Sequence, residues 1–480
     1  MTIHRNYIAG AWVEATDAAP DLDPSDLDDV VGDYALASRH EAEQAIAAAK
    51  AALIGWACAT PATRVDVLMR IATELVARRA ELGRLLSREH GKPLRDGVWE
   101  VAHAGRIFAW FAGEIVRPPG EGTAWPGVGS GRVHGPAGVV ALVTPTSCPM
   151  SVAAWKIAGA LACGDTVVFK PAGLVPGSAW ALTEIVARAG LPPGVFNLVM
   201  GSAADIGPTL LTHRDVDTVS FTGSVATGRR VAKAASGASV MKAVRMDLGG
   251  NSPLVVVDDA DLEVATACAI TGAFHQTGQC CNASTRLVVT EAIHDRFVRA
   301  LTEKLKALVV DGALAPGTRV GPVVDRCRLE QTLRSIGLAE REGARLHWGG
   351  ALLRRERRGH YLQPALLTDV DNAMRVAREE IFGPVACVVR VRDYEDAKAV
   401  ANDTCFRLSA GICTTNPACA RDFKRSSVAK VVRVNLPTAG APVGIDVGVG
   451  LDVDIGADDH VIAQEHLELA ARQLDIAYVV

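Results

Sequence analysis

The chain of 480 residues is too long for a single hydrophobic core and calls for two or three domains. Hydrophobic residues make up 49% and charged residues 22%, the balance of an ordinary globular enzyme, and a net charge of −4 gives no electrostatic reason to expect a nucleic-acid partner. No apolar run reaches the length of a membrane span, MTIHRNYIAGAW offers no apolar run of the kind a signal peptide needs, and the 11 cysteines include no CxxC pair, which argues for reduced thiols in a cytoplasmic protein and against a zinc site.

Ser38 and Glu41 fit a capping box opening a helix over 38–54. A second helix is expected from Thr60-Pro61, with apolar residues at Leu68, Ile71, Leu75 and Leu82, running on to a stop near Gly91-Lys92-Pro93. A third covers 97–115. Residues 117–136, RPPGEGTAWPGVGSGRVHGP, lack helical periodicity and read as an arm leaving the body of the fold.

Beyond the arm, short β-branched runs alternate with helices. The series is strand Val139–Val143, a turn at Thr144–Pro149, helix Val152–Leu161, strand Thr166–Phe169, helix 178–189, strand Val195–Val199, helix 203–212, strand Thr218–Phe221, helix 226–235 and strand Leu254–Val257. It predicts a parallel, doubly wound sheet that binds ligands at the carboxyl ends of its strands. After Cys281 a second series is expected: strand Arg286–Val289, helices 292–308 and 327–341, strand Ala386–Val391, helix 394–401 and strand Val431–Val434. A cleft between two such domains is a favoured ligand site. The tail from Ala441 is rich in Gly and Asp, with a helix expected at 461–474.

Several stretches carry candidate chemistry. Phe274–Arg286, FHQTGQCCNASTR, presents Cys280 and Cys281 after Gly278-Gln279. A polar turn ending in a thiol suits a nucleophile; two buried structural cysteines are the plain alternative. Phe221-Thr222-Gly223-Ser224, then Gly228, sits at a strand end opening a helix, where backbone N–H groups can face a phosphate, although many such turns are only turns. Lys170-Pro171 ends another strand, and its ammonium can reach a ribose or phosphate or simply face solvent. Asp247, before Leu248-Gly249-Gly250, can act as general base toward water or cap a turn. Glu379-Glu380-Ile381-Phe382-Gly383-Pro384 can hold a ribose and wall a ring, or be a solvated acidic turn.

The order of these motifs resembles the aldehyde dehydrogenase superfamily over about residues 5–440. Within it, LDPSDLDDVVGDYA, AWKIAGALACGDTVVFKPAGLVPG, FTGSVATG, ANDTCFRLSAGICTT and VNLPTAG are most similar to the 2-oxoglutarate semialdehyde (2,5-dioxopentanoate) dehydrogenase branch. The resemblance implies an α/β fold with a Rossmann-type dinucleotide-binding domain (1–116 and 137–248), an oligomerisation arm (117–136), an α/β catalytic domain (249–440) and an atypical tail in the oligomerisation region (441–480). It implies NADP or NAD as cofactor, no metal, a small-molecule aldehyde as substrate and a homodimer or homotetramer, with no nucleic-acid or membrane partner. Cys281 matches the nucleophile that forms a thiohemiacetal and then a thioester, and Cys280 its neighbour. Asp247 matches the base that activates water. Glu380 and Phe382 match residues beside the nicotinamide ribose. Lys170, Gly223 and Ser224 match contacts to the adenosine ribose and pyrophosphate, with Gly173 and Gly228 in the same cofactor region.

The chain departs from the family pattern at four places. Pro145-Thr146-Ser147-Cys148-Pro149 replaces Pro-Trp-Asn-Phe-Pro, so Ser147 stands where an Asn side chain donates to the oxyanion; losing one such donor costs roughly 10²–10³ in kcat. Asp247 is one methylene shorter than the family Glu. Gly173 replaces a ribose-binding carboxylate, which removes a charge that would repel a 2′-phosphate, so NADP is expected to bind at least as well as NAD. The C-terminal Gly-Gly-x-Lys-x-Ser-Gly segment is absent. Slow hydride transfer is expected to outweigh slow deacylation, because a carboxylate regains reach through a bridging water. The two altered catalytic positions keep alternatives open: an impaired homologue serving as a binding or scaffold subunit, or a thioester hydrolase using Cys281. Arg106 is a candidate partner for a substrate carboxylate.

Overall fold

The computed structural model describes residues 2–116 and 136–439. The tail 441–480, with its expected helix, and the arm 117–136 up to Gly135 lie outside the described residues.

The first sheet has seven strands. Its order is Ala243–Leu248, Thr218–Gly223, Val139–Val143, Thr166–Lys170, Phe196–Leu198, Asn6–Ile8 and Ala11–Val13. The first five run parallel and the last two join antiparallel. Val139–Val143 lies between the strands that follow it in sequence, so the chain winds to both sides of it. Such a switch point opens a crevice at the strands' carboxyl ends. Helices Arg39–Ala57 and Ser151–Cys163 are among those that bury alanine-rich faces on this sheet.

The second sheet also has seven strands, ordered Arg345–Trp348, Ala365–Thr368, Val385–Val391, Arg286–Thr290, Pro253–Val256, Ser409–Cys413 and Val431–Val434. All are parallel except the first. Pro253–Val256 is therefore an interior strand here and not the last strand of the first series, where the sequence pattern places it. The second sheet begins before Cys281, and the Cys turn falls between two of its neighbouring strands.

A three-stranded sheet, Ile3–His4, Asp26–Ala35 and Ala18–Asp23, completes the N-terminal part. Residues 24–27 latch onto the second half of the chain. Tyr361 Oη donates to the Ser25 carbonyl at 2.8 Å, the Leu27 N–H donates to the Arg358 carbonyl at 2.9 Å, and the His360 N–H donates to the Pro24 carbonyl at 3.0 Å.

The capping box at Ser38 and Glu41 is formed as expected. The helix expected from Thr60 to Gly91 is instead two, Pro61–Ala77 and Arg79–His90. The break is at Arg78, whose guanidinium binds Glu74, Glu81 and Glu184 at once. Gly91 ends the second helix at φ +88°, where a side chain would be strained. Among the described residues no helix is long and apolar enough to cross a membrane.

Candidate active site

The Cys turn begins where the helix Leu262–Phe274 stops. Gln276, Thr277 and Gly278 follow with φ of +50°, +63° and +68°. A β-branched residue in this region is a genuine outlier, and each such non-glycine residue costs on the order of 1–3 kcal/mol. The surroundings hold the turn in place. Thr277 Oγ1 donates to the Gly321 carbonyl at 3.2 Å, and Gln279 Oε1 accepts from the Val324 N–H at 3.0 Å. A Cβ on Gly278 would collide with the Gly383 carbonyl, so the turn packs against the Glu379–Pro384 segment. The outcome is unequal presentation of two adjacent thiols. Cys280 is buried, donating to Asn282 Oδ1 at 2.8 Å, while Cys281 is partly exposed. A hydrogen bond with Cys148 lowers the Cys280 pKa, but the bond with Cys281 and burial outweigh it and push the thiol up to about 12.

Ser147 lies on the loop after Val139–Val143, next to Cys148. Lys92 and Glu100, both fully buried, form an ion pair of 2.5 Å beneath that loop. Lys92 Nζ donates to the Ser147 carbonyl at 2.7 Å, and Glu100 Oε1 accepts from the N–H groups of Met150 and Ser151 at 2.9 and 3.1 Å. Burial alone would lower the Lys92 pKa; Glu100 opposite it raises it above its ordinary value. Ser147 is itself buried, and its Oγ donates to no described residue. Cys148 lies against the Cys turn, with its Sγ 3.5 Å from Gln276 Oε1.

Asp247 is not in a loop. It lies on the edge strand Ala243–Leu248, in register with Thr222. Its Oδ2 accepts from Lys156 Nζ at 2.9 Å and from Thr222 Oγ1 at 3.1 Å. Lys156 is fully buried and also donates to Ser220 Oγ at 2.7 Å. Asp247 Oδ1 has no partner among the described residues. After Leu248, two glycines follow for steric reasons. A Cβ on Gly249 would collide with the Glu380 carboxylate, and one on Gly250 with the Cys281 carbonyl. Asn251 then ties the segments together, donating to the Ala377 and Glu379 carbonyls and accepting from Thr285 Oγ1 at 3.0 Å.

Glu380 Oε1 accepts from the Gly250 N–H at 3.3 Å. Burial pushes its pKa up to about 7, against the pull of that N–H and of Arg328. Phe382 has φ +57°, and the Arg328 guanidinium lies 4.9 Å from its ring centre.

The remaining candidates line the carboxyl ends of the first sheet. Lys170 ends its strand with Nζ donating to the Pro171 carbonyl at 2.9 Å, and burial lowers its pKa to about 8. A cavity of about 150 Å³ opens beside it, lined by Tyr34, Ala172, Gly173, Gly201 and Ser202 among others. A Cβ on Gly173 would meet nothing within 4 Å, so open space stands where the family carries a carboxylate. The space and the bare backbone leave room for the ribose end of a dinucleotide. Ser224 is the N-cap of helix Val225–Ser236, its Oγ accepting from the Thr227 N–H at 3.3 Å. Gly223 and Gly228 have steric reasons of their own: added methyl groups would strike the Phe221 ring and the Leu248 side chain. Arg106, on helix Leu94–Val116, lies beside buried His103, whose pKa burial and then the Arg106 charge hold down at about 3.

The Cys turn, the Cys148 loop, Gly249-Gly250 after the Asp247 strand and the Glu380 segment therefore come together where the two large sheets meet, while Gly173 lines a cavity at the carboxyl ends of the first sheet. The sequence pattern described as the aldehyde dehydrogenase family matches residues 12–450. The chain belongs to the aldehyde dehydrogenase family. This aldehyde dehydrogenase is 37% identical over 452 residues to an alpha-ketoglutarate semialdehyde dehydrogenase of Haloferax volcanii, covering 92% of each chain. It is similar to the crystal structure of a betaine aldehyde dehydrogenase from Staphylococcus aureus in complex with NAD+, with a TM-score of 0.86 and 29% identity over 92% of this chain and 88% of that one. It is also similar to a structure described as an NADP-dependent enzyme of E. coli, with a TM-score of 0.84 and 33% identity over 92% and 91% of the two chains. The enzyme is an NAD(P)-dependent aldehyde dehydrogenase. These names support neither the scaffold nor the thioester-hydrolase alternative.

Sequence reasoning missed Lys156, Thr222, Lys92, Glu100 and Arg328 in this aldehyde dehydrogenase. Lys156 did leave a signal, as the one cation in the otherwise apolar helix Ser151–Cys163. In the sequence Lys92 reads only as part of a helix stop.

Proposed function

We propose that the enzyme oxidises a small carboxylated aldehyde, a 2-oxoglutarate semialdehyde or a close analogue, to the acid. The similarity to a semialdehyde dehydrogenase over nearly the whole chain supports the substrate class. The observation that carries the chemistry is the close packing of Gly250 on the Cys281 carbonyl and of Gly249 on Glu380, which sets a partly exposed thiol beside the Asp247 strand and the Glu380 loop.

In this reading the Cys281 sulfur attacks the aldehyde carbon, and the carbonyl electron pair moves onto oxygen. Ser147 Oγ and the Cys281 N–H donate to that oxyanion. A bound nicotinamide cofactor supplies the hydride acceptor. Lys170, Gly173, Gly223, Ser224 and Gly228 hold its adenosine and phosphate portion, and Glu380 and Phe382 its nicotinamide ribose. Asp247 then takes a proton from the water that cleaves the Cys281 thioester. The cofactor domain comprises 1–116 and 137–248 and the catalytic domain 249–440, with 117–136 and 441–480 serving a cytoplasmic homodimer or homotetramer.

A panel of semialdehydes assayed with both cofactors tests the substrate class. Dicarboxylate semialdehydes should give the highest kcat/KM, and a clear preference for aldehydes without a carboxylate overturns that assignment. Cys281→Ala should abolish oxidation while Cys280→Ala keeps much of it; the reverse pattern reassigns the nucleophile.

A further inference from the structure

Three thiols meet at the catalytic turn. Cys280 and Cys281 are consecutive, and the Cys148 thiol, 3.5 Å from Gln276 Oε1 of the same turn, is close enough to Cys280 for each to perturb the other. Cys148 comes from the other sheet and is itself partly buried. It stands where the family pattern has an aromatic ring, so nothing in the proposed oxidation of aldehydes requires a thiol there.

We propose that Cys148 and Cys280 form a disulfide-accepting site for hydroperoxides that drains oxidation away from Cys281. The proposal rests on Cys281 being the reactive thiol of the proposed function. Cys281 is the accessible member of the adjacent pair, and its thiolate attacks a peroxide oxygen. The O–O bond breaks, a sulfenic acid forms, and the departing hydroxide takes the thiol's proton to become water. The Cys280 thiol condenses with that sulfenic acid, forming Cys280–Cys281 and releasing a second water. The two Cα atoms of that bond are only about 3.8 Å apart across a trans peptide, short of the roughly 4.4–6.8 Å that disulfides adopt, so it is strained and readily exchanged. The Cys148 sulfur then attacks the Cys280 sulfur, and its proton passes to the departing Cys281. The sum is two thiols and one peroxide giving one disulfide and two waters, with Cys281 returned to the thiol. Interaction with a neighbouring thiol, Cys280 for Cys148 and Cys281 for Cys280, together with burial raises both pKa values above the ordinary thiol range, which keeps them out of the first step and leaves them as resolving groups.

The test uses the full-length enzyme treated with hydrogen peroxide, alkylated, digested with trypsin and mapped by mass spectrometry. The expected product joins the peptide containing Cys148 to the one containing Cys280 and Cys281. The link should be lost in both Cys148→Ser and Cys280→Ser. Recovery of activity by dithiothreitol, scored against each variant's own untreated rate, should be high for the natural chain and much reduced for Cys148→Ser, where Cys281 advances to the sulfinic acid. Sulfinic acid at Cys281 of the natural chain with no cross-link overturns the proposal. So does a link from Cys148 that survives Cys280→Ser, because the relay would then bypass Cys280. If Cys281→Ala keeps aldehyde oxidation, the functional reading fails. The peptide map still decides whether the Cys148–Cys280 bond forms in the natural chain.

Discussion

If Asp247 is the base of the proposed mechanism, its anchoring should make release of the thioester the slow step. The side chain is one methylene shorter than the family base, and its Oδ2 is held by Lys156 at 2.9 Å and Thr222 at 3.1 Å. A swing of the whole carboxylate, to bring its unpartnered Oδ1 to a water at Cys281, weakens both bonds. Each is a hydrogen bond to a charged carboxylate, worth about 1.5–3 kcal/mol, so the swing costs about 2–4 kcal/mol after partial replacement by water. That is roughly 30- to 1,000-fold in the deacylation rate. The sequence alone favoured slow hydride transfer, on the ground that a carboxylate regains reach through a water, but a carboxylate fixed at one oxygen has less freedom to do so. Stopped-flow absorbance should therefore show a burst of about one reduced cofactor per active site before a slow steady state. Thr222→Val removes the weaker anchor, about 1 kcal/mol, and should raise the steady-state rate by roughly fivefold while shrinking the burst. Absence of a burst, with a deuterium effect on the steady state and no gain in Thr222→Val, would refute the argument.

Gly173→Glu places a carboxylate in open space, so it should fold normally and shift selectivity from NADP toward NAD by roughly tenfold, through about 1.4 kcal/mol of repulsion, as read from KM ratios. Lys170, lowered to about 8, is charged below that pH and loses its proton above it, so the KM for NADP should climb as pH rises through 8 while that for NAD changes little; parallel profiles would remove Lys170 from the 2′-phosphate. Glu100→Gln strands the Lys92 charge in the interior and should lower stability by about 3–5 kcal/mol. Adding Lys92→Met should restore the denaturation midpoint but not kcat, because the Ser147 carbonyl then has no anchor; full recovery of both would show the pair to be structural only.

The parts legible in the sequence were those encoded locally. The Cys turn, the Ser224 helix start and the Ser38 cap each depend on a few consecutive residues, and β-branched runs such as Val139–Val143 announce buried strands by themselves. Pairing between distant segments was not legible. Leu254–Val257 looked like one more strand of the first series, because nothing in its composition says which sheet it joins; its partners are Arg286–Thr290 and Ser409–Cys413. Asp247 was not placed on a strand because Ala243–Leu248 is an edge, largely exposed, with no apolar run to mark it. Its ion pair with Lys156 spans 91 positions, and the buried bond from Lys92 to Ser147 spans 55. The break at Arg78 was hidden for the same reason, since Glu184, one of its three carboxylates, lies 106 positions away. The order of the motifs carried the family, and the fold then supplied what ties them together.

The latch between residues 24–27 and 358–361 has a consequence for how the chain is made. The bond from Tyr361 to Ser25 closes across 336 positions. At about 5–20 residues per second, a ribosome needs on the order of tens of seconds to pass from one partner to the other. During that interval the hairpin of Ala18–Asp23 and Asp26–Ala35 can pair within its own three-stranded sheet, but its tip has nothing to hold it. Three quarters of the protein must emerge before the seam can be fastened. Truncations that end short of Tyr361 should therefore yield chains with a native-like first sheet and an open edge, prone to self-association, so that aggregation during expression should drop once the expressed chain extends past the latch.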